Sequence, residues 1–138
     1  MTPTLVGRWQ SRILLFATGG VLISLILGLA WGNSIKLLII LGYVLVFGLV
    51  WDIPYTWMTN LRWDRDWPPA LILLTGVWEA LFFWWAAHNI GLPGVKTPVD
   101  LEHFIIHYWL VWLFVFIGLQ GPLRVIFPRW RFRGGRWL

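Results

Sequence analysis

ILLFATGGVLISLILGLAW, residues 13–31, carries no charged side chain. It is close to the ~20 residues that a helix needs to cross the hydrocarbon core of a bilayer. Arg8 and Arg12 precede it and Gly32-Asn33-Ser34 follows it, a turn short enough to make the next apolar run its antiparallel neighbour. A secretory signal cleaved after Gly28-Leu29-Ala30 is the competing reading, but the run exceeds the ~7–15 residues of a signal core, so it reads as an uncleaved helix. Within it Gly20, Ser24 and Gly28 recur at every fourth position, and small residues on one face let a second helix approach closely.

Three more runs of this kind follow. Ile35 to Trp51 is interrupted only by Lys36, which can snorkel to the interface, and by Tyr43. Ala70 to His88 holds one acid, Glu79, and Pro98 to Gln120 opens on a polar turn and continues almost wholly apolar. Thr97 reads as the N-cap of that last helix, with Pro98 at its first position and Asp100 closing a capping box. Hydrophobic residues make up 59% of the chain and charged ones 12%, against roughly a quarter charged in globular domains. A body this small has too little interior to hide that much apolar surface from water. The fold expected is therefore an all-α integral membrane protein: a single domain of four transmembrane helices, about 13–31, 35–51, 70–88 and 98–120, in an up-down bundle.

Residues 52–69 mix Tyr55, Trp57, Trp63 and Trp67 with Asp64, Arg65 and Asp66 between Pro54 and Pro68-Pro69, and read as an interfacial segment in a central loop. Residues 123–138 form a tail of arginines and aromatic rings. Most of the 13 Trp fall near the ends of the apolar runs, where indole rings favour the headgroup level. Four spans put Arg8, Arg12, Arg62, Arg65, Arg124, Arg129, Arg131, Arg133 and Arg136 on one side, and only Lys36 and Lys96 on the other. That bias predicts cytoplasmic termini in a cell inner or plasma membrane, or an internal bacterial-type membrane. It also accounts for the net charge of +5 without nucleic acid as a partner. The absence of Cys excludes disulfides, thiolate metal sites and thiol relays.

Three constellations carry chemistry. Asp100, His103 and His107 line one helical face, and His88 ends the preceding helix at the level of His103. Imidazoles with a supporting carboxylate, Asp100 or Glu102, suit Zn, Cu or haem iron, whereas the plain alternative is hydrogen bonding to headgroups, loop carbonyls or water. At 1.5 Å per residue from the outer helix ends, Ser24 and Tyr43 lie about 10 Å deep, Glu79 about 13 Å and His107 about 7 Å. This predicts a buried polar cluster in which Glu79, protonated or held by another helix, bonds to Tyr43, His107 or Ser24. Last, Asp52, Asp64 and Asp66 share a face with Arg129, Arg131 and Arg133, so the tail is expected to fold back across the loop by charge, in competition with anionic lipid.

No phosphate-binding Gly-rich loop, Gly-x-Ser-x-Gly or His-Glu-x-x-His occurs. The expected function is non-catalytic: an accessory or scaffold subunit of a larger membrane assembly, in contact with lipids, other membrane subunits or further copies of itself. Its rings suit a flat hydrophobic cofactor such as a quinone or pigment. The alternatives are a metal or haem protein built on His88, His103 and His107, and a proton-linked small transporter using Glu79.

Overall fold

The computed structural model describes residues 3–95 and 99–137, apart from the side chain of Arg131. It is all-helical, with no strand among the described residues. Four helices are long and apolar enough to cross a membrane: α1 (Leu5–Trp31), α2 (Ser34–Leu61), α3 (Pro69–Asn89) and a span from Leu101 to Ile126. The last comprises α4 (Leu101–Gln120) and a short α5 (Pro122–Ile126), which starts afresh where Gly121-Pro122 breaks the ladder. A one-turn helix, α6 (Pro128–Phe132), follows in the tail.

Two boundaries differ from those expected. Helix α1 begins at Leu5, eight residues before the uncharged run, because Thr4 caps it: the Thr4 hydroxyl accepts from Gly7 N. Arg8 and Arg12 thereby become helical residues. Helix α2 continues through Pro54 to Leu61, ten residues past its expected end at Trp51. A proline removes one ladder donor, and in a bundle a neighbouring helix can satisfy the carbonyls it leaves exposed. The carbonyl that loses its ladder donor is Val50 O, and the Trp9 indole of α1 donates to the one before it, Leu49 O, 3.0 Å away. The region read as loop 52–69 is thus helix as far as Leu61, and Asp52 lies inside α2. Thr97 and Pro98, expected to open the last helix, lie outside the described residues. Among those described, the helix starts at Leu101 with Asp100 as its N-cap.

Helix α1 is not regular. Phe16–Gly20 is a π-helical turn, which inserts one residue into the ladder. At about 100° per residue, Arg12 and Ser24 would sit roughly 120° apart on a continuous α-helix. Discounting the inserted residue brings them to within about 20°, so both face the interior. The glycines of this turn accept close neighbours: a Cβ at Gly19 would overlap the Phe114 ring.

Helix α1 packs chiefly on α2, and through its middle on α4, while α3 packs on α2 and α4. Phe16, Ile40, Val44, Phe83, Phe104, Tyr108 and Val111 form the centre of the core. Outside it, only 28–33% of each span's apolar window is buried, so the perimeter is oily all round. That pattern, apolar both inside and out, is the one expected of a multi-pass membrane protein.

Candidate functional site

Arg12 is the centre of the polar interior. Its Nε and Nη2 donate to the two carboxylate oxygens of Asp52, each at 3.0 Å, and its Nη1 and Nη2 donate to those of Glu79 at 2.8 and 3.0 Å. Four of the five guanidinium N–H bonds are thus spent on two forked ion pairs, the geometry that planar guanidinium offers and lysine does not. Asp52 is 2% exposed and Glu79 5%, so this is a cross-link between α1, α2 and α3 made inside the bundle. Gly48, one turn before Asp52, makes the room: a Cβ there would overlap Arg12 Nη1.

Arg8 lies one turn earlier on α1. Its Nη2 donates to Thr59 Oγ1 at 3.1 Å, and its guanidinium carbon stands 4.7 Å from the centre of the Trp67 ring. The Thr59 hydroxyl spends its own proton on Tyr55 O, 2.8 Å away. Tyr108 donates to Gly76 O at 2.6 Å, joining α4 to α3. Deeper along α1, Ser24 Oγ is 2.8 Å from His107 Nε2, both residues being almost wholly buried.

The expected cluster is therefore divided. Ser24 and His107 meet, but Glu79 turns away from them to Arg12, the strongest partner within reach. Tyr43 turns the other way and donates to Pro93 O of the loop after α3, at 2.7 Å.

The histidines do not gather either. His88 is held by its own helix, with Nδ1 2.9 Å from Trp84 O and its ring against Trp84. His103 pairs with Asp100 and meets the Trp31 ring edge to face. His107 belongs to the interior. Among the described residues no group of three or more His, Cys, Asp or Glu is placed to share a metal ion. Of the expected set His88, His103, His107 and Asp100, only His103 and Asp100 meet; His88 is bonded to Trp84 O and His107 to Ser24.

The third expectation needs a different correction. Asp52 is not available to the tail, since it is buried on Arg12, and Asp64 is bonded to Arg62 with Nη2–Oδ2 at 2.8 Å. Arg129 and Arg133 are exposed, and the side chain of Arg131 lies outside the described ones. The tail is instead held by its backbone against α1. Thr4 N donates to Gly134 O (2.9 Å), Ser11 Oγ to Gly135 O (3.2 Å) and Trp137 N to Gln10 Oε1 (2.8 Å). The Trp130 indole, 3% exposed, donates to Ser11 Oγ at 3.0 Å.

Outside the spans, the Arg62 hydrogen bond, helped by Asp66 N, holds the Asp64 carboxyl at about 2 rather than the usual 3.8. The sign follows: a lowered folded value means the pair contributes above pH 3.8 and is lost as the pH falls through about 2. Carbon NMR of the Asp64 carboxyl should place its midpoint there, and Arg62→Gln should return it to the ordinary range.

A cavity of about 130 Å³ runs through the interior, bordered by Arg8, Arg12, Asp52, Tyr55, Glu79 and His107 among others. The sequence points to Glu79 but not to its partners: Arg12 reads as a charge flanking the first apolar run, and Asp52 as an acid of the loop facing the arginine tail. The available signal was an intramembrane acid in need of a cation: Glu79 had none on its own helix, and Arg12 stands about two helical turns inside a start capped by Thr4.

The chain matches no protein-family model, no curated protein and no solved structure.

Proposed function

We propose that the protein spans a cell inner or plasma membrane, or an internal bacterial-type membrane, as an up-down four-helix bundle with both termini cytoplasmic. In it the chain serves as a non-catalytic accessory or scaffold subunit of a larger assembly. Four oily helices support the insertion, and the bias of Arg towards one set of ends supports the orientation. The observation that carries the non-catalytic reading is the pairing of Glu79: both its oxygens, and both of Asp52, are engaged by Arg12. An acid held in that way acts as a strut between helices. Exposed rings on the perimeter, Trp57, Trp78, Trp85 and Trp109 among them, offer contact to lipids, to neighbouring membrane subunits or to a flat hydrophobic cofactor. Purification in a gentle detergent tests this reading. The expected outcome is a complex containing other membrane subunits, with the absorbance spectrum revealing any pigment or quinone; a stable oligomer of this chain alone would overturn it.

Proton-linked transport is the second reading, favoured by the cavity that borders Glu79, Asp52 and His107 together. Glu79→Gln separates the two. Glutamine keeps a carbonyl for Arg12 while Asp52 still neutralises it, so the bundle is expected to hold. Proton-coupled flux in proteoliposomes of the parent that disappears in this variant supports transport through Glu79; flux that is unchanged removes Glu79 from the path, and no flux in the parent sinks the reading.

A further inference from the structure

Four buried side-chain polar atoms have no hydrogen-bond partner among the described residues, and three of them, Arg8 Nε, the Tyr55 hydroxyl and His107 Nδ1, belong to side chains that line the one cavity described above. Buried polar groups in native proteins find partners, protein or water, so three orphans around one void point to what fills it. The cavity is long. At one end it is bordered by Pro3, Trp67 and Trp130, and at the other by Leu41 and His107. Arg12 pairs with α2 and α3, and Ser24 with His107; the rise of α1 between them is about 18 Å.

The chemistry of the wall selects the occupant. Arg8 and Arg12 balance Asp52 and Glu79, so there is no net charge to hold an ion. Arg8 Nε is a donor and Tyr55 both a donor and an acceptor. At His107 the tautomer follows from its partner: Ser24 Oγ donates its only proton to Gly20 O at 2.8 Å, so His107 Nε2–H donates to Ser24 and Nδ1 presents a lone pair. The occupant must therefore be neutral, both donate and accept, and be thin enough to pass Phe16, Val44 and Val111. Water has these properties.

We propose that this cavity is a water-filled half-channel, entered from the Pro3, Trp67 and Trp130 end and closed at His107 Nδ1. It gives solvent on one face access to an imidazole beyond the ion-pair layer. The inference extends the proton-linked reading by naming where the path ends. The titratable groups facing that path are Arg8 and Arg12 from α1, Asp52 and Tyr55 from α2, Glu79 from α3 and Tyr108 from α4. A proton arriving along the file would add to the Nδ1 lone pair, leaving an imidazolium whose two N–H groups donate to Ser24 Oγ and to the last water.

Water-edited solid-state NMR of the labelled full chain in lipid bilayers tests hydration without reference to transport. Magnetisation from water is expected to reach His107 about as fast as the exposed His88 and His103, and nitrogen shifts are expected to show the Nε2–H tautomer. Val44→Phe, which narrows the cavity wall, should slow the transfer to His107 at least ~3-fold and leave the other two histidines unchanged; Val111→Phe serves if that variant does not fold. Transfer to His107 no faster than to the lipid-facing Leu29 would overturn the proposal. So would cross-peaks from acyl chains to the imidazole, which would make the occupant an amphiphile. A hydrated His107 with no proton flux would leave the half-channel standing and remove transport alone.

Discussion

Arg12→Leu is expected to be the most damaging single substitution in the chain. It leaves two carboxylates, Asp52 and Glu79, side by side at 2% and 5% exposure with no cation between them. Removing one partner of a buried pair typically costs about 3–5 kcal/mol, because the charge left behind is no longer compensated by the group that was bonded to it. The side chain of Arg12 itself is 18% exposed, which places the expected loss towards the lower end of that range. The measurement is thermal unfolding of the detergent-solubilised protein, with the variant precipitating or unfolding well below the parent. A second variant shows whether the loss comes from stranded charge or from lost contact. Arg12→Met combined with Asp52→Leu and Glu79→Met fills similar volume with apolar atoms, and such replacements of buried ionic groups are often neutral or stabilising. The triple variant should recover most of the stability. If Arg12→Leu alone were as stable as the parent, the cross-link would not be holding α1, α2 and α3 together.

The same cluster shows what a sequence discloses of a protein like this one. The existence of four long helices was legible, since charge-free runs of bilayer length have few other uses. Their limits were not. Hydropathy trims a helix at the first charge or proline, yet Arg8, Arg12, Asp52 and Pro54 all lie within helices, and the three charged ones are bonded to partners on neighbouring helices. A window along one chain segment sees the cost of burying such a residue and not the partner that removes it. Depth reckoning had the same blind spot. It put Ser24, Tyr43, Glu79 and His107 in one layer, but depth says nothing of the direction a side chain takes. Tyr43 reaches a loop carbonyl, Glu79 reaches Arg12, and only Ser24 and His107 meet. The facing of Arg12 and Ser24 depends further on the π turn at Phe16–Gly20, an irregularity that no periodicity in the sequence announces.

Gly7→Val should release the C-terminal tail while leaving the bundle intact. A Cβ on Gly7 would overlap Gly134 O and lie 2.7 Å from the carbonyl carbon of Gly135. Both are backbone atoms, so no rotamer change relieves the clash; either α1 shifts or the tail lifts. The tail is the weaker party, because its seat consists of a few hydrogen bonds to Thr4, Ser11 and Gln10 and the buried Trp130 ring. Its turn also depends on Gly134 and Gly135 at φ of 62° and 83°, a conformation other residues adopt only with strain. Overpacking of this kind costs about 1–3 kcal/mol, enough to raise the open population on the order of tenfold. Trypsin reads that population directly, since Arg129, Arg133 and Arg136 lie in the clasped segment. Cleavage there should accelerate by about the same factor, with the four long helices still protected. Gly42→Ala is the control: nothing lies within 4 Å of a Cβ at Gly42, and the change should leave the cleavage rate as it was.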